Sequence, residues 1–450
     1  MLQAIKSKDV IEYRYITVEE ALNKIKTGDI IVSALAAAEP REILRNLHKI
    51  SNKVRNVTIT TCLPIEMAEY FINPEYNKSF KMDGWFYTAA MRKAQKNGNI
   101  SFIPNHLHLA AIKRLAHKKP NIFIGTATMP DNHGYVSLSL SNVYEKRMIE
   151  EADIVILEVN KNYPRTFGDV EIHVNDIDYM IETDYEVPEL LDVEPNEKDL
   201  KIGRFIADRI NDGDCLQLGI GGIPNAVAAS LMYKKDLGIH TEMLTTGMMK
   251  LIKAGVVNGK NKNIYKGKHI AAFALGTKEL YDFINDNPSV MIMDGYWTND
   301  PYTIGLNDNQ VSINTTIEID LTGQCASESI GAIQFSGTGG QADTAIGAQR
   351  SKNGRSFIAL YSTTMAKNKE TGEREEISKI VPFLKPGAAV SLSRNDVDIV
   401  VTEYGVAELR GTTINERVEK LISIAHPKFK EELLNKAREM GLIYEVWGVM

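Results

Sequence analysis

Cysteine is scarce in this chain of 450 residues: Cys62, Cys215 and Cys325 are odd in number and far apart. That excludes a disulfide framework and any CxxC metal site. No apolar run approaches the roughly 18 residues of a membrane-spanning helix, and none near the start reads as a leader. An excess of basic charge is missing as well, since 52 Lys and Arg stand against 58 Asp and Glu, for a net charge of −6. Such a balance leaves no electrostatic footprint for nucleic acid or an anionic membrane. Any anionic substrate must then be held by local groups, such as backbone N–H nests or single lysines. Low-complexity tracts, GxGxxG and HExxH are absent too. The expectation is a reduced, cytoplasmic protein.

What is present is an ordinary globular composition, 44% hydrophobic and 24% charged, with length for two or three domains at about 150 residues each. Short β-branched runs alternate with longer amphipathic segments. Val57–Thr60, Asn121–Ile124, Ile154–Leu157 and Ile399–Val401 read as buried parallel strands, while Val18–Lys26, Asp199–Ile210 and Glu416–Ile424 carry apolar residues at helical spacing. The alternation predicts an α/β fold with largely parallel sheets.

The two halves repeat one order of landmarks. Lys24–Asp29 is echoed by Arg209–Asp214, and each is followed by an apolar stretch and a proline, Pro40 or Pro224. Gly134–Ser139 is matched by Ala388–Ser393, and Asp153-Ile154-Val155 leading to Glu158 by Asp398-Ile399-Val400 leading to Glu403. The order predicts an internally duplicated chain, with one open α/β domain over about 1–190 and a similar one over 195–450. The acidic, proline-bearing stretch Val187–Glu197 is the expected linker, and a site between the domains the default expectation.

Gly219-Ile220-Gly221-Gly222-Ile223-Pro224 follows the strand-like Cys215–Leu218 and precedes a helical Asn225–Tyr233 segment. Glycines at a strand-to-helix turn let backbone N–H groups approach an anion or an oxyanion; a tight structural turn is the alternative. Gly337-Thr338-Gly339-Gly340-Gln341 is a second small-residue cluster, suited to a phosphate or to a plain surface loop. Glu242 lies in Gly238–Leu244; if that is a strand, His240 and Glu242 share a face. A carboxylate there needs a reason: an ion pair, a metal site with His240, or a nucleophile. His106-Leu107-His108 could chelate a metal but reads more readily as a strand-to-helix junction. Lys379, beside apolar residues, suits a carboxylate or phosphate, or is a solvated side chain at a strand entrance.

Leu218–Pro224, Leu237–Met243 and Phe335–Gln341 together resemble the acetyl-CoA hydrolase/transferase family of family I CoA-transferases. The resemblance extends through Asp83–Phe86, Asp131–Gly134, Gly168–Val174, Ser378–Phe383, Ser393–Asp396 and Val401–Gly405, so it covers nearly the whole chain. It implies Glu242 as a catalytic nucleophile. It places Gly219, Ile220, Gly221, Gly222 and Ile223 at the CoA and thioester site, with Gly339, Gly340, Ser362 and Lys379 as further CoA contacts. Asn314 it implies as a polar contact to the reacting carboxyl.

The implied activity moves CoA between short-chain acids such as acetate, propionate, butyrate and 4-hydroxybutyrate through a glutamyl-CoA thioester. It calls for no metal and no tightly bound cofactor, CoA being substrate, and it implies a homodimer. An acyl-CoA hydrolase and a non-catalytic CoA-binding sensor are the rival readings. The chain departs from the family pattern once. After Gln341-Ala342-Asp343 the family has an aromatic residue and an Arg-Gly-Ala run, where this chain has Thr344-Ala345-Ile346-Gly347-Ala348. Read as a loop, that segment would border the acyl pocket or lie outside it.

Overall fold

A computed structural model describes residues 11–367 and 371–443. The first ten residues, where no leader is expected, and the outer ends of both expected domains lie outside the described residues. The chain divides into two compact units: 1–191 with 241–249 and 268–300, and 192–240 with 250–267 and 301–450. The break at 191 falls within the acidic stretch, and two segments from the later half of the sequence belong to the first unit.

The first unit holds a seven-stranded, wholly parallel sheet. Its order is Tyr179–Thr183, Ile154–Asn160, Ile122–Ala127, Ile30–Ser33, Val57–Thr61, Phe80–Gly84, Ile100–Phe102. Its central strands carry Ile31, Ile59 and Phe123, each fully buried, which is why they read as continuous β-branched and aromatic runs. A shorter parallel ladder joins His269–Ala274, Val290–Ile292 and Phe167–Gly168. Gly168, at φ +129°, lies where a Cβ would meet the Ile292 carbonyl oxygen, so this family motif is a packing requirement.

In the second unit Ile399–Thr402, Arg355–Ala359, Gln310–Thr315, Cys215–Leu218 and the start of Gly238–Leu244 run parallel, and Gly405–Glu408 closes one edge antiparallel. The fold is therefore α/β with largely parallel sheets. Among the described residues no helix is long and apolar enough to cross a membrane, and the three cysteines are free and buried.

The repeated landmarks build one turn twice. Gly28 and Gly213 both take φ +85°. Asp29 accepts from the Lys26 N–H at 2.7 Å, and Asp214 from the Asn211 N–H at 2.8 Å. Gly28 N–H donates to the Arg55 carbonyl and Gly213 N–H to the Lys235 carbonyl, in each case just before the neighbouring strand. The later landmark does not repeat in this way. Tyr135–Ser137 is a strand paired with Glu171–His173, whereas Ala388–Ser393 offers a single bridge from Leu392 to Cys325.

The expected helices form with shifted ends. Val18–Lys26 shortens to Val18–Leu22, while Glu197–Ala207 and Ile414–Ser423 begin at reciprocal caps made by Asn196 with Asp199 and by Thr413 with Glu416. Helix Glu197–Ala207 packs on helix Gly222–Ser230 through Gly203, where a Cβ would stand 2.8 Å from the Ala226 backbone. Gly203→Ala should lower stability by about 1–3 kcal/mol through overpacking. Thermal unfolding checks it, and an unchanged midpoint would show that the helices can part freely.

Candidate active site

Four of the second unit's parallel strands end side by side, and Gly219–Gly221 and Ser362 lie just beyond two of those ends, where α/β sheets bind ligands. Strand Cys215–Leu218 runs into Gly219-Ile220-Gly221, and helix Gly222–Ser230 begins there, three residues earlier than its sequence suggests. Pro224 sits in the first turn, where its missing N–H costs nothing. Gly221 has φ +108° and ψ −176°, a conformation essentially reserved for glycine. Among the described residues no atom lies within 4 Å of a Cβ built on it. Ile220 is exposed at the turn's tip and Ile223 is buried beneath it.

A polar network stands beside this turn. A Cβ on Gly222 would fall 2.3 Å from Asp199 Oδ2. Asp199 caps its own helix and accepts from the Tyr361 hydroxyl at 2.6 Å. The next residue, Ser362, is fully buried and turns both donors onto Glu403, N–H and Oγ each at 2.8 Å. Lys198 Nζ meets Glu403 at 3.2 Å. Lys198 and Lys379 lie 5.7 and 5.9 Å from the Tyr361 ring centre. Ser362 is thus a support for Glu403, and the groups it helps present are Tyr361, Glu403 and the two lysines.

Burial pushes the Lys379 ammonium down to about 8, although Glu403 and Glu318 favour its charged form. If that charge holds CoA, KM for acyl-CoA should rise as pH climbs through about 8. Lys379→Met should raise KM and flatten that dependence; a wild-type profile in the variant would remove Lys379 from binding. The sign for stability is opposite. The unfolded chain binds more protons here between about 8 and 10.5, so this lysine's penalty to folding lessens as pH rises through that window.

The second glycine cluster also meets a helix. Gly340 is the cap residue of Gln341–Arg350, Gly339 takes φ +54°, and both are buried. Gln341 Nε2 donates to the Thr315 carbonyl at 2.7 Å, tying the helix start to the end of strand Gln310–Thr315. The segment read as a loop, Thr344–Ala348, is therefore the middle of this helix. Thr344 Oγ1 accepts from Asn314 Nδ2 at 2.9 Å and from Ser312 Oγ at 3.0 Å. Gly347 packs where a Cβ would meet Ile304 at 2.6 Å. A small-residue helix explains the missing bulk, and Thr344 fixes the side chain of Asn314.

Glu242 belongs to the first unit. Gly238–Leu244 is a strand, and among Gly238–Leu244 only Glu242 is partly exposed. Asn299 Nδ2 donates to its Oε2 at 2.8 Å. Burial, with Glu242 and Glu145 adding to it, drives the Cys62 thiol well above its ordinary range, so a protonated, unreactive thiol lies in the carboxylate's surroundings. His106 caps the short turn Leu107–Leu109 that leads into helix Ala110–His117, the junction expected of that motif. Among the described residues no three His, Cys, Asp or Glu side chains gather as a metal-holding group.

Asn299, Asp199, Lys198, Tyr361 and the supporting role of Ser362 were not legible as site features. The one available signal was the Asn196-x-x-Asp199 spacing, a capping pattern that places Asp199 at a helix start.

The chain belongs to the acetyl-CoA hydrolase/transferase family, whose N-terminal domain matches residues 3–191 and whose C-terminal domain matches 276–437. It is 42% identical over 431 residues to succinyl-CoA:cyclohexane-1-carboxylate CoA transferase of Geobacter metallireducens, covering 94% of this chain and 95% of that one. It is 41% identical over 433 residues to 4-hydroxybutyrate coenzyme A transferase of Clostridium kluyveri, covering 96% and 99%. Among solved structures, RipA from Yersinia pestis aligns with TM-score 0.89 at 34% identity, over 96% of this chain and 98% of that one.

Proposed function

We propose that this protein is an acyl-CoA:carboxylate CoA-transferase that moves CoA between short-chain acids through Glu242. The observation that carries the reading is a single partly exposed carboxylate in an otherwise buried strand, with one oxygen held by a buried amide. That bond holds the carboxylate in place.

Glu242 attacks the acyl-CoA carbonyl and expels CoA thiolate, giving an acyl-glutamyl anhydride. The thiolate attacks the glutamyl carbonyl, releasing the first acid and leaving a glutamyl-CoA thioester. An acceptor carboxylate runs the steps in reverse, so the thioester's free energy is conserved without ATP. In the second unit, the helix starts at Gly222 and Gln341 offer N–H groups to anions or oxyanions. Lys379 and Lys198 supply the positive charge that the acidic chain as a whole lacks. CoA is substrate in this scheme, not a resident cofactor.

The relatives named as transferases act on different acids, so the acids for this chain are drawn as a class: acetate, propionate, butyrate and 4-hydroxybutyrate. The protein is proposed to act in the cytoplasm as a homodimer, which sedimentation would check. A panel of these acceptors assayed with acetyl-CoA tests the reading. Exchange that depends on the carboxylate supports it. Thiol release at the same rate without acceptor would make the protein an acyl-CoA hydrolase; a Yarrowia lipolytica relative 28% identical over 54% of this chain is named acetyl-CoA hydrolase. CoA binding with neither reaction would make it a sensor.

A further inference from the structure

The turn that the chain builds twice borders a cavity each time, and the two cavities differ in chemistry. Beside Lys24–Asp29, about 320 Å³ is walled mainly by Leu22, Ile25, Ile50 and Val54, with Lys26 and Lys53 as its charged residues. Beside Arg209–Asp214, about 470 Å³ is lined by three arginines, Arg209, Arg355 and Arg410, together with Asp398 and Glu408. Ile399 is the apolar residue among those lining it, and no aromatic side chain is there among the described residues. All of these positions belong to the second unit.

The charges are arranged in depth. Asp214 and Asp398 have side chains only 2% and 6% exposed, whereas their partners Arg355 and Arg410 are 21% and 48% exposed. Each carboxylate is fixed by backbone, Asp214 by the Asn211 N–H at 2.8 Å and Asp398 by the Ser356 N–H at 2.9 Å. Arg410 Nη2 donates to Asp398 at 2.6 Å and to the Gly354 carbonyl at 3.1 Å. Arg355 pairs with Asp214 and donates to the Asn353 carbonyl, but its Nε is enclosed with no partner among the described residues. An enclosed donor kept without an acceptor needs a reason beyond the ion pair. The third pair is loose: Glu408, 66% exposed, stands 3.5 Å from Arg209 Nε. A pair so exposed is worth little, so an incoming anion displaces Glu408 at small cost. Buried carboxylates thus orient two guanidiniums from below, and all three guanidiniums line the cavity.

We propose that this cavity binds a small, multiply charged oxyanion, of the kind presented by a pyrophosphate or a polycarboxylic acid. Both offer several oxygens to planar guanidinium forks, which match carboxylate and phosphate geometry alike. Without an aromatic face the lining offers no platform for a nucleotide base, and a single isoleucine offers little to an acyl chain. The place in the fold separates this ligand from CoA. Asp214, Arg355 and Asp398 stand at the starts of strands Cys215–Leu218, Arg355–Ala359 and Ile399–Thr402. The far ends of the same strands lead to Gly219, Tyr361 and Glu403. The oxyanion therefore sits at the opposite edge of the sheet from the residues assigned to CoA.

The test is calorimetric titration of the full-length protein with pyrophosphate and, separately, with citrate in metal-free buffer, backed by the rise in thermal midpoint that binding produces. Wild type should bind at least one of them saturably; pyrophosphate alone would mark a phosphate ligand, citrate alone a carboxylate one. Arg410→Gln and Arg209→Gln should each weaken that binding by about tenfold to a hundredfold, the scale of one lost charge-assisted hydrogen bond. Both side chains are well exposed, and Asp398 keeps the Ser356 N–H when Arg410 is changed, so these variants should fold. Arg410→Lys, which keeps the charge and loses the fork, should weaken binding as well. Lys53→Met, in the cavity of the twin turn, should leave it unchanged, and so should Lys379→Met. Absence of saturable binding of either anion would overturn the proposal, as would equal affinity in wild type and the arginine variants. Binding lost in Lys379→Met and kept in Arg410→Gln would overturn it too, by placing the anion at the CoA site.

Discussion

Glu242→Gln is expected to lower transfer by about a thousandfold or more while the protein stays folded. An amide has no carboxylate oxygen to offer and cannot form the anhydride. The exchange is nearly isosteric, and the structural cost should be small for a specific reason. Asn299 Nδ2, which donates to Glu242 Oε2, finds a carbonyl oxygen on glutamine in the same place. A matched thermal midpoint with lost exchange is the predicted pair of results. Activity within a few-fold of wild type would return Glu242 to a structural carboxylate.

Gly221→Ala should cost about a hundredfold in kcat/KM and only about 1–3 kcal/mol in stability. Its Cβ would meet no atom of the described residues within 4 Å, so the stability loss comes from the backbone, from φ +108°. The activity loss is larger because the peptide must rotate, re-aiming the N–H groups at the start of helix Gly222–Ser230. Gly222→Ala is the contrast. There the added carbon would fall 2.3 Å from Asp199 Oδ2, displacing the carboxylate that caps helix Glu197–Ala207 and holds Tyr361. Stability and activity should fall together in that variant. If Gly221→Ala loses no more activity than its stability explains, the turn is only a turn.

The sheets were legible because their chemistry is local. A strand such as Ile122–Ala127, buried at every position, is apolar but for Gly125 and Thr126, whose hydroxyl donates to the Ala38 carbonyl, and that run is visible without a structure. The turn at Gly28 and its twin at Gly213 were legible for a similar reason: a glycine at positive φ and an aspartate one residue later leave a short pattern. Glu242 and the glycine loops could be named because a carboxylate in an otherwise buried strand and clustered glycines both need explaining. What stayed hidden depends on contacts across long stretches of chain. Asn299 lies 57 residues from Glu242 and Tyr361 lies 162 from Asp199. Nothing in an Asn or a Tyr announces such a partner. Thr344–Ala348 misled because small and β-branched residues suggest a loop when read alone. Packing against Ile304 and the bond to Asn314 give that helix its reason.

The central claim is a covalent one, and it is tested most directly by isolating the charged enzyme. Protein incubated with acetyl-CoA alone and then freed of ligand should carry CoA as a thioester. Borohydride should reduce that thioester to an alcohol, inactivating the enzyme only after acyl-CoA treatment. Digestion should place the change in the peptide Gly238–Leu244, at Glu242. Recovery of unmodified peptide from an enzyme that nonetheless transfers CoA, insensitive to borohydride before and after acetyl-CoA, would contradict the account.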